Sequence, residues 1–285
     1  MKRIIISITC IFLLHITTSA QEWILIEKAS DVNTFMRIDS IPKTSQNETH
    51  FYAVFSEKAA IQWQKEFQYK TLPAYELKSY CYSEDFNYMA TRAYNVYDKD
   101  DNPLYESFHG FLTYNTLEGY RAQSFANWAY LLKEYGKNAC IFASQTQYNN
   151  ENAQWVKFSE DAEIERYIRI DIPNHDSLAM YKVIYKTQKI SRQEQKNLLL
   201  PEAPRSRIFV YKILKNGKQV LRFADSFFGK KKAITPVYVY PLYADYKLVE
   251  DDVTRQYVEW ALLFFEQGKD VLIEKSNSMF NKNIK

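Results

Sequence analysis

The chain has 285 residues, of which 37 are Lys or Arg and 34 are Asp or Glu, so its formal net charge is only +3. Proteins that bind nucleic acids by electrostatics usually carry a clear positive excess, so this near balance argues against that class. Tyr, Phe and Trp make up 16% of the residues, whereas Gly occurs only 6 times. This composition favours half-buried strands, and the length has room for two ordinary domains.

The N-terminus has the layout of a secretory signal peptide. A short basic start precedes an apolar run over residues 4–16, and small residues follow up to Ala20. The run is too short to span a bilayer, so we predict a signal peptide over residues 1–20 and export to the periplasm or the cell surface. A lipoprotein modified at Cys10 fits less well, because Cys10 lies inside the apolar run. No further long apolar segment follows, so no transmembrane segment is expected after cleavage.

Two distant segments of the sequence each occur twice in similar form. NWAYLLKEYGKN surrounds Trp128, and EWALLFFEQGKD surrounds Trp260. Earlier in the chain, WILIEKASDVNTFMRID begins at Trp23, and WVKFSEDAEIERYIRID begins at Trp155. In both pairs the Trp residues lie 132 positions apart. A shared offset at two distant places indicates a tandem duplication.

The duplication predicts two repeats, over residues 22–148 and 154–274, and a polar tail without stable structure over residues 275–285. Apolar and polar residues alternate after each early Trp, which is typical of strands with one buried face. Each repeat ends in apolar residues at helical spacing before Gly136 or Gly268, which are candidate helix C-caps. The predicted fold class is therefore α+β, in which each repeat is a mainly antiparallel β-sheet with a C-terminal helix packed on it.

Two local signals refine this organisation. Asn216 and Gly217 lie between alternating runs of the second repeat and predict a tight hairpin. A Trp in an apolar helical stripe is more often part of the core than a platform for a stacked ligand. We therefore expect four Trp residues in the structural core: Trp23, Trp128, Trp155 and Trp260.

The sequence contains none of the common catalytic motifs, such as HExxH, CxxC, a phosphate-binding glycine loop or GxSxG. Asp39 and Asp171 recur in the two repeats, and paired carboxylates can hydrolyse sugars. Each follows an arginine, Arg37 or Arg169, by two positions, so local pairs on one strand face are the simpler expectation. The lysines at residues 230–232 fit a solvated turn better than a phosphate site. We predict no catalytic residue, no cofactor site and no metal site.

Two cysteines remain after cleavage, Cys81 and Cys140, and both lie in the first repeat. An even pair in an oxidising compartment fits a disulfide, and two unrelated buried thiols are the alternative. At the fixed offset Cys140 corresponds to Leu272, and the segment around Cys81 has no clear counterpart in the second repeat.

The first repeat resembles the bacterial surface-adhesin E family in several short motifs. These are Trp23 at the start of the first strand, Phe35 in an aromatic segment ending in "ID", LKSYCYS around Cys81, and Cys140 after the terminal helix. Domains of that family are small antiparallel sheets with a helix near the C-terminus. A mid-domain cysteine pairs there with one near the domain end, so the resemblance implies a Cys81–Cys140 disulfide and a role in adhesion. The first repeat departs from the family by an insertion over about residues 56–75.

Two function classes stay open at this point. The first is an exported, non-catalytic binding protein that contacts envelope or host proteins through sheet edges or Tyr-rich faces. The second is an exported hydrolase that acts through carboxylates the sequence does not identify. Open sheet edges around a solid core favour binding, whereas a deep pocket with converging charged groups favours an enzyme. Nucleic acid is not an expected partner, and the sequence leaves the oligomeric state open.

Overall fold

The structure, a computed structural model, describes residues 22–39, 47–147, 153–172, 177–187, 190, 192–197, 200–229, 233, 238–239 and 247–280. The predicted signal peptide, the lysines at residues 230–232 and most of the connection between the repeats lie outside these residues. Within them, no helix has the length and apolar character needed to cross a membrane.

The first sheet is an antiparallel meander in which each strand pairs with the next one along the chain, except that β7 returns to pair with β5. Its strands are β1 (Trp23–Lys28), β2 (Val32–Arg37), β3 (Asn47–Phe55), β4 (Pro73–Tyr82), β5 (Tyr88–Asp98), β6 (Pro103–Phe108) and β7 (Asn115–Thr116).

The second sheet repeats this order, with β13 and β14 both pairing with β12. Its strands are β8 (Trp155–Glu160), β9 (Ile164–Arg169), β10 (Leu178–Tyr185), β11 (Ser206–Leu214), β12 (Gln219–Phe228), β13 (Tyr238–Val239) and β14 (Lys247–Leu248). A short 3₁₀ turn joins β11 to β12, and Asn216 (φ 53°) and Gly217 (φ 85°) both have positive φ there. The predicted hairpin is thus confirmed, with the left-handed backbone that favours this residue pair.

Each repeat has a short helix after its third strand and a long helical segment at its end. The helices are α1 (Glu57–Phe67), α2 (Gly119–Gln145), α3 (Arg192–Asn197), α4 (Asp252–Gln267) and α5 (Lys269–Phe280). Gly136 kinks α2 with φ 77° and ψ 179°, and Gly268 separates α4 from α5 with nearly the same angles. Gly268 is the C-cap of α4, as predicted, and α5 follows directly, whereas Gly136 lies at a kink within α2. The tail predicted to lack stable structure begins at residue 275, but α5 continues through it as far as Phe280.

Hydrogen bonds repeat between the two units at the 132-residue offset. A bulge follows Leu25 in β1 and Lys157 in β8. The Ser144 hydroxyl donates to the Leu25 carbonyl oxygen at 2.6 Å, and the Ser276 hydroxyl donates to the Lys157 carbonyl oxygen at 2.7 Å. The fold is therefore α+β with two sheet-and-helix repeats, as the sequence predicts.

The long helix of each repeat packs on one face of its own sheet, which we call the helix-covered face. In the first repeat, the rings of Phe51 in β3 and Phe125 in α2 stack at 4.4 Å, beside the fully buried Trp128. In the second, the Tyr181 and Tyr257 rings meet edge to face at 4.8 Å, beside Trp260. Aromatic rings at the same positions thus fix each helix to its sheet.

The early Trp residues lie on the opposite side of their strands, which we call the outer face. Trp23 is half-buried and contacts Tyr52 at 5.9 Å between ring centroids. Trp155 is half-buried as well, but it packs against the core that the two repeats share. The four Trp residues therefore occupy two distinct environments, and only the helical pair is fully buried.

The C-terminal half of α2 also packs on the outer face of the second sheet. The Tyr135 and Phe223 rings meet at 4.8 Å, and the Thr146 and Ser226 hydroxyls lie 3.0 Å apart. Phe142 belongs to a buried cluster that contains residues of both sheets. The repeats therefore share one continuous core, and the second sheet has helices on both faces.

Replacing Trp128 by Ala should lower the free energy of unfolding by about 3–5 kcal/mol, because the ring is fully buried in the shared core. Trp23→Ala is the matched control and should cost less, since its ring is only half-buried. Urea denaturation followed by circular dichroism measures both. Equal losses for the two variants would contradict the packing described above.

Candidate functional site

The recurring Arg and Asp residues form the same clamp in both repeats. Arg37 Nε lies 2.7 Å and its terminal nitrogen 3.1 Å from the two Asp39 carboxylate oxygens. Arg169 holds Asp171 at 2.8 Å and 3.0 Å in the same bidentate manner. Asp171 also accepts from the Gln154 backbone N–H at 3.2 Å. Both carboxylates therefore fasten the end of a strand, and neither is free for acid–base chemistry.

The clamps lower the pKa of both carboxyl groups. For Asp39 the main cause is the hydrogen bond from Arg37. For Asp171, burial is the largest influence and acts to raise the pKa, but the Arg169 hydrogen bond and charge outweigh it. Both aspartates are therefore ionised at neutral pH, as an ion pair requires.

A cleft of about 550 Å³ lies beside the second clamp. Its walls include Asp171, Phe264 and Lys269. At the equivalent place in the first repeat, Lys137 Nζ binds the Glu22 carboxylate at 3.1 Å. The charged groups in its walls are one clamped carboxylate, Asp171, and one exposed lysine, Lys269.

The two cysteines are buried free thiols rather than the disulfide that the family resemblance implies. Tyr80 and Tyr82 pack in clusters that contain residues of α2, so Cys81 between them points to the outer face. Cys140 lies in the shared core, on the other side of the sheet. Burial raises the pKa of both thiols. The pairing fails because the sheet separates the two side chains.

The strand around Cys81 also has a counterpart in the second repeat, contrary to expectation. Met36 pairs with Phe51 in the first sheet, and Ile168, 132 positions after Met36, pairs with Tyr181 in the second. Continuing this comparison across the strands matches β4 with β11, so Cys81 is equivalent to Lys212 of the second repeat. The offset is 132 in the second strand, 130 in the third (Phe51 and Tyr181) and 131 in the fourth (Cys81 and Lys212), so a fixed offset of 132 misaligns these strands.

A concentration of buried polar groups lies on the helix-covered face of the first sheet, between α1 and α2. One cross-strand row there runs Glu27, Thr34, Ala53, Glu76, Val96 and Tyr105. Apolar clusters fill the sheet on either side of it, one under α1 and one under α2. We call the stretch of this row from Glu27 to Glu76, with Lys78, Tyr94 and Arg121 around it, the Glu76 groove.

A buried ion pair forms the floor of the groove. Lys78 Nζ donates to Glu76 Oε1 at 2.6 Å, and Glu76 is only 2% exposed. Lys78 Nζ also lies 4.8 Å from the centre of the Tyr94 ring. Burial lowers the pKa of Lys78, although the Glu76 charge opposes this. Burial likewise raises the pKa of Tyr94, and the Glu76 carboxylate raises it further.

Helix α2 places one arginine above the other end of the groove. The Arg121 guanidinium donates to Thr34 Oγ1 at 3.2 Å, and its Nε lies 3.6 Å from a Glu27 carboxylate oxygen. The side chain of Arg121 is 49% exposed, so part of its donor set faces solvent. The groove thus combines two cations and two carboxylates on a floor of small side chains.

Exposed aromatic residues surround the last strand of this sheet. Tyr105 in β6 is 45% exposed, and it contacts Tyr94 at 5.6 Å between ring centroids. Phe108 and Phe111 are 72% and 96% exposed. Phe67 at the end of α1 is half-exposed on the helix-covered face. Exposed apolar rings can mark interaction sites, and here they lie on both faces of the edge, since Tyr105 and Phe108 are three positions apart in β6.

Among the described residues, no group of three or more His, Cys, Asp or Glu side chains could hold a metal ion. A scan against protein-family models finds no match, and a search of curated proteins finds no similar sequence.

Sequence reasoning found the clamps but missed the groove. Both arise from charges two positions apart in a strand, Arg37 with Asp39 and Glu76 with Lys78. The repeat drew attention to the clamps, whereas the groove occurs in one repeat only. Its other members come from distant strands and from α2, so spacing along the chain could not bring them together.

Replacing both Asp39 and Asp171 by Asn should make stability less sensitive to acid. The ordinary pKa of an Asp carboxyl is 3.8, and both folded values lie below it. Each clamp therefore contributes stability above about pH 4, and this contribution is lost as the pH falls through the lowered pKa. Urea midpoints at several pH values between about 3 and 7 should show a flatter profile in the double variant. Asp252→Asn, at an exposed pair with Arg255, is the control. An unchanged slope would show that the clamps do not couple to folding.

Thiol reagents should label neither Cys81 nor Cys140 in the native protein, because both side chains are fully buried and their pKa values are raised. Both should react once the protein is unfolded in urea. Mass spectrometry of the labelled peptides measures this. A peptide in which Cys81 and Cys140 are joined would contradict the arrangement of side chains on opposite faces of the sheet.

Proposed function

We propose that the protein is an exported, non-catalytic binding protein of the cell envelope, similar in role to surface-adhesin E proteins. Its binding surface is the edge of the first sheet at β6, and its partner contributes an extended segment that adds to this edge as a further strand. The observation that carries the proposal is the contrast between β6 and the first strands of both sheets.

The first strands of both sheets are closed to strand addition. In β1, the Leu25 carbonyl accepts from Ser144 at 2.6 Å and from Gln147 at 2.8 Å. In β8, the Lys157 carbonyl accepts from Ser276. Each of these strands also carries a bulge, which disrupts a regular edge.

Strand β6 has no described strand on its outer side. The His109 N–H donates to the Arg92 carbonyl at 2.9 Å, and hydrogen-bonded positions alternate along an antiparallel pair. Residues 105 and 107 therefore face β5, whereas the backbone groups of Glu106 and Phe108 face away from the sheet. An added strand would pair with these outward groups, and the exposed rings would contact its side chains.

The alternative hypothesis of an exported hydrolase loses its clearest candidate residues. Asp39 and Asp171 are each held by an arginine through two hydrogen bonds. A catalytic carboxylate must instead exchange a proton or attack a substrate. The exposed aromatic edge has no such role in an enzyme, but it suits a binding surface.

Binding should depend on both the free backbone groups and the aromatic side chains of this edge. Glu106→Pro removes an outward N–H without removing a bond to β5, and the double variant Phe108→Ser/Phe111→Ser removes the exposed rings. A partner recovered from envelope extract or from host matrix, then purified, should bind each variant at least about tenfold more weakly, or about 1.4 kcal/mol. Surface plasmon resonance gives the dissociation constants.

The matched control is Leu248→Ser/Met279→Ser, which removes two similarly exposed apolar side chains from the second repeat. This variant should bind like the unmodified protein. Hydrogen exchange adds a second readout, since the Glu106 and Phe108 amides should become protected in the complex. Equal affinity of the β6 variants and the control, or an unprotected β6 in the complex, would refute strand addition.

A further inference from the structure

The β6 edge, which the proposed function assigns to a partner, is also complementary to itself. The backbone groups of Glu106 and Phe108 face away from the sheet, whereas those of Ser107 face β5. Two copies of the chain can therefore pair antiparallel through β6 only in registers that match outward residues with outward residues. Because the two strands are identical, a twofold axis passes through the centre of the pair. The possible registers are few, and the residues of β6 distinguish them.

Charge, strand length and a bulge leave one favourable position for this axis. An axis at Glu106 places the two Glu106 side chains directly opposite each other, and like charges in this position are destabilising. An axis at Phe108 lies at the last residue of β6, so little of the strand remains to pair. An axis at Tyr105 requires Leu104 to pair regularly, but the ladder between β5 and β6 is bulged at Leu104. An axis at Ser107 avoids all of these faults.

The register with its axis at Ser107 places Glu106 opposite Phe108 of the second copy. Both residues have outward N–H and C=O groups, so each pair exchanges both backbone N–H···O hydrogen bonds. On the helix-covered face, Tyr105 lies opposite His109 of the second copy, and both side chains are exposed in the single chain. This pairing therefore satisfies the outward backbone groups in the middle of β6 and covers rings on both faces of the edge.

The charges on the outer face favour the same register. The Arg92 guanidinium lies over the Phe108 ring, 5.8 Å from its centre, and donates to the His109 carbonyl oxygen at 3.4 Å. Within one copy, Glu106 is exposed, and its carboxylate interacts with the uncharged Tyr97 hydroxyl. Because Phe108 lies opposite Glu106 of the second copy, that carboxylate approaches Arg92 across the ring. Opposite charges on neighbouring strands stabilise their pairing.

We propose that the chain forms a homodimer in which β6 pairs antiparallel with β6 of a second copy, with the twofold axis at Ser107. The inference rests on the proposed function in one respect, since both require an accessible β6 edge. An unpaired strand edge is a template for pairing with other chains and for aggregation. The dimer closes this edge, so a partner that adds a strand to β6 must displace the second copy.

The variant Ser107→Cys tests the position of the axis. The residue pair at the axis is not hydrogen-bonded, so its Cα atoms lie about 4.5 Å apart, within the range that a disulfide spans. The mature chain with Ser107→Cys should therefore form a disulfide-linked dimer on air oxidation, which non-reducing gels detect and mass spectrometry of the joined peptides locates. Cys81 and Cys140 are buried and should not contribute. Circular dichroism confirms that the variant is folded.

The matched control for the cross-link is Tyr105→Cys, on the same face of the same strand. With the axis at Ser107, the two copies of residue 105 lie about 14 Å apart, so this variant should not form the disulfide. Sedimentation velocity measures the dimer without a cross-link. The unmodified mature chain should dimerise with concentration, and Glu106→Pro should raise the dissociation constant at least about tenfold, or about 1.4 kcal/mol. Leu248→Ser/Met279→Ser should dimerise like the unmodified chain.

The dimer is overturned if the unmodified chain stays monomeric up to its limit of solubility, or if Ser107→Cys cross-links no faster than Tyr105→Cys. These outcomes differ from failure of the proposed function. A monomer that binds a purified envelope partner through β6 retains the proposed function and loses the dimer. A dimer locked by the disulfide at residue 107 should not bind that partner, and undiminished binding would refute strand addition at β6 while leaving the dimer in place.

Discussion

The packing of α2 on two sheets at once is the interaction on which the rest of the structure depends. Its first half covers the first sheet through Phe125 and Trp128, and its second half reaches the second sheet through Tyr135. The change of direction occurs at Gly136, whose φ of 77° is a conformation that side-chain-bearing residues rarely adopt. Because the repeats share the helix, they share a core, and neither sheet has its complete packing without the other.

The same helix sets the outer faces of the two sheets apart. The outer face of the second sheet receives α2 through apolar residues such as Met180, Val210 and Phe223. Matching strand registers places His50, Ser79 and Arg92 at these positions in the first sheet. Helix α2 of a further copy would meet polar groups there and lose the burial that holds the existing pair together.

Helix α5 differs from the equivalent part of α2 at the positions that form the interface between the repeats. At the 132-residue offset, Phe142 and Ala143 of α2 correspond to Glu274 and Lys275 of α5. Phe142 is buried between the repeats, whereas Glu274 is exposed. The outer face of the first sheet and the equivalent part of α5 thus carry polar residues at the positions that form the interface between the repeats. Terminal units of repeat proteins are capped in this manner, because each exposes a face that an internal unit would bury.

Sequence reasoning could recover the parts of this fold that rest on local pattern or on duplication. The alternating strands, the Asn216-Gly217 hairpin and the helical Trp128 and Trp260 follow from periodicity and turn chemistry. The cysteine pairing could not be judged, since it depends on which face of β4 carries Cys81. That face is set by pairing with β3 and β5, which lies beyond any local pattern.

The Glu76 groove also depends on pairing between distant strands, so no local pattern predicts it. It further shows where the two repeats have diverged. A duplicated fold supplies two sets of equivalent positions, and the clamps show that strand ends kept their residues. The helix-covered row changed instead: Ala53 and Glu76 correspond to Val183 and Arg207. Both rows retain a buried charge, but in the second repeat Asp225 neutralises it from the next strand. In the first, Lys78 neutralises it from the same strand, so the two repeats balance their buried charge through different partners.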